Sequence, residues 1–578
     1  MRSWKPNQHK PSQGIAKKPA GGGQNLLHKD RQEPKSAVDN GGSPPPTAVT
    51  GSAMPTYRQL VIKRCECSPY FAHALICSSA PINAEDQIRA DLSADQADEN
   101  LKRLKDDLRA FLLSEAAKGT TDISDKIKVV LNIHGYNMPL KSIEEGFEQN
   151  QKRFNTDTSD TPPDDYVLFI DYCWPSERIL LSQWKAWLLA MPYPLLLLFA
   201  LAIAGVSLGG FLQGLGLWLL GFGAALIALR LVVYFRDRDR AANHGVYDAV
   251  ELVRWLPVLI KEQLNHDPAA AALHTPFPSQ IKLSILAHSM GCFVATQTVR
   301  MLSNVFEEAA IARWKELSED GPFGEVAGFA PQKPTQQHAN ALSRLGNHYQ
   351  LKQLILVAPD IPIWAVTTGR SNYLLASMRR FEESFLFVND ADIVLRLAST
   401  LANYFVFPSR SKQGGYRLGN LSIAQQGAAH TCPYGESSGT MKSLVLNGLF
   451  GSVKMTDPPF HCPESIGHSF NVVSCTDYTD VGVNAPPASS SSQRRRRRLS
   501  GMTARHPLCR LANHLTTTLC NFISRSGVDS HGGYFQGKFC LGLIYSLALH
   551  GEAPTRLKIP SLTQQLKELQ LTWLTIKA

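Results

Sequence analysis

The stretch LSILAHSMGCFVA, residues 283–295, joins two apolar runs through a short turn that carries one serine. The first run is short and continuously apolar, which is typical of a strand covered on both faces of a parallel sheet. The second run begins a helical pattern. Ser289 lies at the bend, between the small residues Ala287 and Gly291. We predict a strand, a sharp turn and a helix in this order.

Short apolar runs recur along the chain and predict further strands. They cover residues 57–66, 126–133, 165–172, 281–287, 351–358, 383–388 and 470–475. Helical patterns lie between them, at 96–117 and 244–264. Alternation of buried strands with helices predicts an α/β fold with a mostly parallel, doubly wound sheet.

Two basic segments fall outside this alternation. Residues 1–56 have no apolar run, so we expect a disordered basic tail rather than a secretion signal. Residues 485–505 contain five consecutive arginines, and we expect a disordered, solvated loop or a contact for anionic lipid headgroups. Because the net charge of +10 is concentrated in such segments, we expect no nucleic-acid partner.

Residues 186–229 contain no charged side chain and no histidine. A single helix of this length would measure about 66 Å, about twice the hydrocarbon core of a bilayer. Two crossings with a turn near Ser207 and Gly209 fit better. An even number of crossings also returns the chain to the side of the membrane on which the strands before the segment lie. We predict an inserted transmembrane helical hairpin. A buried hairpin in a soluble domain and a hairpin lying in one leaflet stay open as alternatives.

The hairpin would divide one α/β domain into residues 57–185 and 230–578. Basic residues flank the apolar segment on both sides, namely Arg178, Lys185, Arg230, Arg236, Arg238 and Arg240. Lys and Arg next to membrane-spanning segments tend to stay on the cytoplasmic side of the membrane. We therefore expect the α/β domain on the cytoplasmic side. The lipid bilayer is then the partner of residues 186–229.

The turn at residues 287–291 has the pattern of a nucleophile elbow. This turn presents a serine hydroxyl between a strand and a helix, and it needs small flanking residues because backbone segments approach closely. The sequence AHSMG has alanine at the first small position, a mild departure. Ser289 is the candidate nucleophile, and a purely structural strand-to-helix turn is the alternative.

A serine nucleophile needs a base that is oriented by a carboxylate, in the chain order serine, acid, histidine. Asp390 and Asp392 directly follow a predicted strand. We favour Asp392, because the apolar residues after it can turn inward while its carboxylate stays at the strand end, and Asp390 is the alternative acid. His531 in the glycine-rich GVDSHGGYF is the candidate base. His468 precedes its strand, at the wrong edge of the sheet.

An oxyanion formed by attack on a carbonyl needs backbone N–H donors. The residue after the nucleophile, Met290, supplies one candidate. The loop NIHGYN ends a predicted strand, and Tyr136 supplies the second. We expect His134 and Gly135 to support this loop rather than to react.

The motifs LNIHGYN, DYCWPSER, YFRDRDRAA, LAHSMG, LILVAPDI, DADIVLRLAS, YRLGN and SHGGYF resemble, in the same order, those of a mainly bacterial α/β-hydrolase family catalogued as domain of unknown function 900. NDADIVLRL also resembles the acid-bearing segment of class 3 lipases, which favours Asp392. The resemblance covers residues 127–540 with interruptions. It implies an α/β-hydrolase fold, the triad Ser289, Asp392 and His531, and hydrolase activity without a defined substrate.

These features together predict a membrane-anchored serine hydrolase, esterase- or lipase-like, that acts on a small acyl-containing ester, thioester or amide through an acyl-enzyme. An inactive membrane scaffold and an acyltransferase are the alternatives. No metal or cofactor site is predicted, since Cys65 and Cys67 are too close together for a zinc clip and the other cysteines are scattered. Reduced thiols of a cytosolic compartment are expected.

Overall fold

The structure is a computed structural model. It describes residues 59–68, 70–80, 94–118, 123–157, 165–176, 214, 217, 221, 232–265, 280–303, 344–346, 348–367, 373–392, 394–399, 416–423, 435–437, 444–448, 451–454, 469–476, 478–483, 496–499, 529–559 and 561–574. The predicted tail, most of the predicted hairpin and most of the arginine loop lie outside these ranges. Within them, no helix combines the length and the apolar character needed to span a bilayer.

The strands within these ranges form one large sheet and two small ones. They are β1 (Leu60–Ser68), β2 (Phe71–Ser78), β3 (Ile127–Ile133), β4 (Tyr166–Cys173), β5 (Ile281–His288), β6 (Arg344–Leu345), β7 (Tyr349–Val357), β8 (Glu383–Val388), β9 (Leu421–Ile423), β10 (Gly435–Ser437), β11 (Leu444–Gly448), β12 (Gly451–Lys454), β13 (Asn471–Ser474), β14 (Thr479–Asp480), β15 (Arg496–Arg497) and β16 (Thr572–Leu574).

The large sheet has the order β1-β2-β4-β3-β5-β7-β8-β13-β16-β10, with β6 beside β7. Every neighbouring pair from β2 to β13 on this path is parallel. β1 is antiparallel to β2, and β16 is antiparallel to β13. The predicted α/β class with a mostly parallel sheet is therefore confirmed.

The direction in which the chain builds this sheet reverses at β3. After β3 the chain adds β4 on one side, and it later returns to add β5 on the other side. In open α/β sheets, such a reversal opens a crevice at the carboxyl ends of the two strands. The register pairs Ile133 with Ala287, so the loop after β3 meets the turn that follows β5.

Helices cover both faces of the sheet. They are α1 (Ala94–Ala117), α2 (Leu140–Asp157), α3 (Val246–Asn265), α4 (Met290–Leu302), α5 (Trp364–Thr367), α6 (Tyr373–Met378), α7 (Lys538–His550), α8 (Glu552–Lys558) and α9 (Leu562–Glu568). Helical residues 232–240 and a π-helical turn, Ala241–Gly245, lead directly into α3.

Alternate strand residues pack in two different cores, as the pleat of a strand requires. In β3, Val129 and Leu131 belong to the core that includes residues of α1, α3 and α4. Val130 belongs to the core that includes residues of α7 and α9. A doubly wound arrangement explains why the strand sequences are continuously apolar.

The predicted strands are confirmed to within three residues at each end, and both predicted helices are present as α1 and α3. A strand that was not predicted, β16, follows β13 in the chain and pairs with it. β16 has only three residues, too few for a periodic pattern. Further elements that were not predicted are β2, the fully buried strand FAHALICS, and the helices α2 and α7–α9.

Candidate active site

Ser289 occupies a strained turn between β5 and α4. Its backbone has φ 55° and ψ −122°, a conformation that residues with a side chain rarely adopt. A Cβ atom on Gly291 would lie 2.4 Å from the carbonyl oxygen of His134, so only glycine fits this position. Such strain is often found where a side chain must be held for function. The turn presents the Ser289 hydroxyl at the carboxyl edge of the sheet.

The structure brings three of the predicted site residues together. His531 Nε2 lies 2.7 Å from Ser289 Oγ, and His531 Nδ1 lies 2.7 Å from Asp392 Oδ2. A carboxylate oxygen only accepts, so Nδ1 carries the hydrogen and Nε2 of the neutral ring accepts from the serine. All three residues are buried, with Ser289 1% and Asp392 0% exposed. This is the geometry of a serine nucleophile, a base and an orienting acid.

The alternative acid, Asp390, has a different hydrogen-bond partner from Asp392. Asp390 accepts a hydrogen bond from Thr476 Oγ1 at 3.3 Å. Asp392 is the carboxylate that bonds His531. His468 lies outside the described residues.

Asp392 is held by the backbone just after β8. The amide of Leu395 donates to Asp392 Oδ1 at 3.1 Å, which leaves Oδ2 for His531. Asn420 donates to the carbonyl oxygens of Asp392 and Asn389 at 3.2 and 3.4 Å. These contacts orient the carboxylate before any substrate is present.

The loop that carries His531 is held from three sides. Asp529 Oδ1 accepts from the amides of His531 and Gly532, both at 2.9 Å. Asn389 Nδ2 donates to the carbonyl oxygen of Ser530 at 2.9 Å. His288 Nε2 donates to the carbonyl oxygen of His531 at 3.1 Å. The backbone of His531 is therefore bound to its own loop, to the end of β8 and to the turn at Ser289.

These supporting residues were not predicted from the sequence. Asp529 had a local signal, since an aspartate two residues before a histidine can close an Asx turn on its own loop. His288 occupies the variable position of the nucleophile turn. Asn389 and Asn420 had no local signal, because their partners lie far away in the chain.

Charge around His531 favours protonation of its ring. Burial alone lowers the pKa of His531, but the charge and hydrogen bond of Asp392 and the charges of Asp529 and Asp360 raise it, and the net result is a pKa above the ordinary 6.5. Burial raises the pKa of the Asp392 carboxyl, against the opposing effects of His531 and the Leu395 amide. A base that gains stabilisation when protonated is suited to accept the serine proton.

His288 is held neutral next to this base. Burial and the nearby His531 lower the pKa of His288 to about 3. The two rings are 4.9 Å apart, and Phe535 contacts His288 edge-on at 5.2 Å. A neutral His288 holds the backbone of His531 without adding a second positive charge.

The loop after β3 packs directly against the nucleophile turn. A Cβ atom on Gly135 would lie 3.0 Å from Ser289 Cβ, so the two backbones approach closely here. The Tyr136 ring lies 6.1 Å from the His531 ring. Met290 is the first residue of α4, at the helix end where amides attract negative charge. Tyr136 and Met290 thus lie on the two segments that border Ser289.

His134 contacts its own loop, the loop after β3, and Trp174. Its Nδ1 donates to the carbonyl oxygen of Gly135 at 2.7 Å. Its ring stacks on Trp174 with centroids 5.2 Å apart, and Trp174 Nε1 donates to the carbonyl oxygen of His134 at 2.8 Å. These contacts hold His134 in the loop.

Asp360 is a further buried acid at this edge. Its amide donates to the carbonyl oxygen of Ser289 at 3.2 Å. Its carboxylate accepts from Tyr234 Oη at 2.8 Å and forms an ion pair with Arg417, with Nε and Oδ1 3.2 Å apart. Asp360 thus connects the nucleophile turn to residues from two other segments.

Within the described residues, no group of three or more His, Cys, Asp and Glu side chains is arranged to hold a metal ion. The seven cysteines described there are free thiols.

Residues 273–419 match the model of a family described as "Alpha/beta hydrolase of unknown function (DUF900)". The match confirms the resemblance to this family, and it contains Ser289 and Asp392 but not His531. No curated protein and no solved structure matches the chain.

Proposed function

We propose that this chain, with its α/β-hydrolase-like segment, is a serine hydrolase that uses Ser289 as nucleophile, His531 as base and Asp392 as orienting acid. One observation carries the proposal: two hydrogen bonds of 2.7 Å connect Asp392, His531 and Ser289 in series. The strained turn at Ser289 supports it independently.

The reaction follows from this arrangement. His531 Nε2 takes the Ser289 proton while Oγ attacks the carbonyl carbon of the substrate, and Asp392 stabilises the imidazolium. The amides of Met290 and Tyr136 donate to the oxyanion. Collapse of the tetrahedral intermediate breaks the bond to the leaving group, which takes the proton from His531. His531 then takes a proton from water, whose oxygen attacks the acyl carbon. The bond from this carbon to Ser289 Oγ breaks, Oγ takes the proton back from His531, and the acyl group leaves as a carboxylic acid.

The proposed substrate is a small ester, thioester or amide with an acyl group. We further propose that residues 186–229 form a hairpin that anchors the protein in a bilayer, with the hydrolase domain on the cytoplasmic side. The absence of charge in this segment supports this. The hydrogen bond of 3.0 Å between Ser176 and Asp237 also supports it. Ser176 precedes residues 186–229 and Asp237 follows them, so this bond brings the two ends of the segment together, as a hairpin requires.

A fluorophosphonate probe tests the catalytic proposal. We expect covalent labelling of the wild-type protein and hydrolysis of a p-nitrophenyl acyl ester, and we expect Ser289→Ala to lose both. Ser303→Ala is the matched control, since Ser303 bonds only locally to the Val299 carbonyl at the far end of α4 in the described structure and should leave labelling unchanged.

The same experiment separates the alternatives. Absence of Ser289-dependent labelling would leave an inactive scaffold as the better description. Labelling with little ester hydrolysis, but with acyl transfer to an added alcohol or amine, would identify an acyltransferase.

A further inference from the structure

Asp237 is a fully buried carboxylate that does not belong to the hydrogen-bonded series Ser289, His531 and Asp392. Its exposed fraction is 0%. Oδ2 accepts from the backbone amide of Asn137 at 2.8 Å and from Ser176 Oγ at 3.0 Å. Oδ1 pairs with Arg236 at 2.7 Å. A carboxylate inside a protein needs such partners, and one of these is a backbone amide of the loop after β3.

The bonded amide is next to the proposed oxyanion donor. Asn137 follows Tyr136 directly and has φ 57°, a left-handed conformation that asparagine adopts more readily than most residues with a side chain. Met138 is held as well, by a bond of 3.3 Å from its amide to Ser176 Oγ. The direction of the peptide between Tyr136 and Asn137 thus depends on the partners of Asn137.

The two residues that hold this loop come from opposite sides of the apolar segment. Ser176 lies shortly before residues 186–229, and Asp237 lies shortly after them. They are hydrogen-bonded to each other and to the same loop. Of the two, Asp237 provides the charge and the shorter bond.

We propose that Asp237 is a positioning residue that holds the loop after β3 so that the Tyr136 amide points at the oxyanion. This inference rests on the proposed serine hydrolase function. It also assigns a role to the motif YFRDRDRAA, which the triad leaves unexplained. Burial raises the pKa of the Asp237 carboxyl, while Arg236 and the hydrogen bonds from the Asn137 amide and Ser176 oppose this rise and favour the ionised form, which accepts the amide most strongly.

The test compares Asp237→Ala with Asp239→Ala. Asp239 is exposed, lies two residues further on the same helix and accepts a hydrogen bond from Asn243. For Asp237→Ala we expect a fall in kcat of about 10²-fold with little change in KM, because a displaced donor affects the transition state more than substrate binding. For Asp239→Ala we expect wild-type kcat. Asp237→Asn keeps an oxygen for the Asn137 amide and should restore much of the activity.

Amide hydrogen exchange gives a readout that does not depend on activity. We expect faster exchange in peptides that cover residues 134–139 of Asp237→Ala, with unchanged exchange in β3 and β5. Unchanged exchange in this loop would overturn the positioning role, whether or not the enzyme is active. Faster exchange with unchanged kcat would overturn it too.

The two proposals fail in different ways. If the wild-type protein shows no Ser289-dependent labelling, the hydrolase function fails, and hydrogen exchange still decides whether Asp237 holds the loop. If Asp237→Ala does not fold, the same measurements on Ser176→Ala replace it, because this variant removes the acceptor of the Met138 amide and one partner of Asp237 Oδ2. In that case, unchanged loop exchange in Ser176→Ala would overturn the proposal.

Discussion

His531 Nε2 lies 2.7 Å from Ser289 Oγ, although 242 residues separate them in the chain. The two residues meet because Ser289 follows β5 and His531 precedes α7, and both lie at the carboxyl edge of the same sheet. The bond from His288 to the carbonyl oxygen of His531 holds the two loops together a second time. Proton transfer between the two side chains needs no rearrangement of the backbone.

Asp392→Asn should lower kcat by about 10²–10⁴-fold, because an amide can stabilise neither the imidazolium nor the required ring tautomer. Asp390→Asn is the matched control. Asp390 contacts Thr476 rather than His531, and its variant should stay close to wild type. Hydrolysis of a p-nitrophenyl ester measures both. The opposite ranking of the two variants would transfer the acid role to Asp390.

The acid limb of the pH profile should report the pKa of His531. Only the neutral ring accepts the serine proton, so kcat/KM falls as the pH drops through this pKa. Since neighbouring carboxylates raise it, we expect the midpoint above pH 6.5. Asp529→Asn keeps the acceptor for the His531 amide but removes one charge, and should move the limb to lower pH.

The control for this shift is Asp239→Asn, which removes an exposed charge and should leave the limb in place. A limb that stays at the wild-type midpoint in Asp529→Asn would exclude Asp529 as a source of the raised pKa.

Gly291→Ala should destabilise the protein by about 1–3 kcal/mol, because its Cβ would overlap the backbone of β3 and of the loop after it. Gly146→Ala in α2 is the contrasting variant. No atom lies within 4 Å of its Cβ position, so it should stabilise the protein by about 0.5–1 kcal/mol. Urea unfolding measures both changes. Equal changes in the free energy of unfolding for the two substitutions would show that the backbone around Gly291 leaves room for a Cβ atom.

The apolar segment 186–229 should retain the protein in the membrane fraction. We expect recovery with membranes after cell lysis, resistance to an alkaline wash and release by detergent, because two apolar crossings are held by the hydrocarbon core. Recovery in the soluble fraction without detergent would instead favour a buried hairpin within a soluble domain.

Parts of the site were predictable because their signals are local. Ser289 stands out through its small neighbours and the apolar runs on both sides. The order of Ser289, Asp392 and His531 in the chain follows a known pattern. The choice between Asp392 and Asp390 rested on a weaker argument about which residue stays at the strand end.

Other parts were not predictable, because their partners are distant. In the sequence, Asp237 is one of several charged residues in YFRDRDRAA. No neighbouring residue in the sequence indicates that Asp237 accepts a hydrogen bond from the amide of Asn137. Short elements were missed for a related reason. The three residues of β16 have no period that could be recognised, and pairing with β13 is what makes them a strand.

The sequence by itself determined the α/β class, the strand, turn and helix around Ser289, and the uncharged segment 186–229. These features depend on side-chain periodicity and on local backbone preferences, which act over a few residues. Only the tertiary structure decided that Asp392 bonds His531, that His288 and Asp529 hold the loop of His531, and that Asp237 reaches the loop after β3. Those contacts depend on strand order and register, which bring the ends of β3, β5 and β8 to one edge of the sheet.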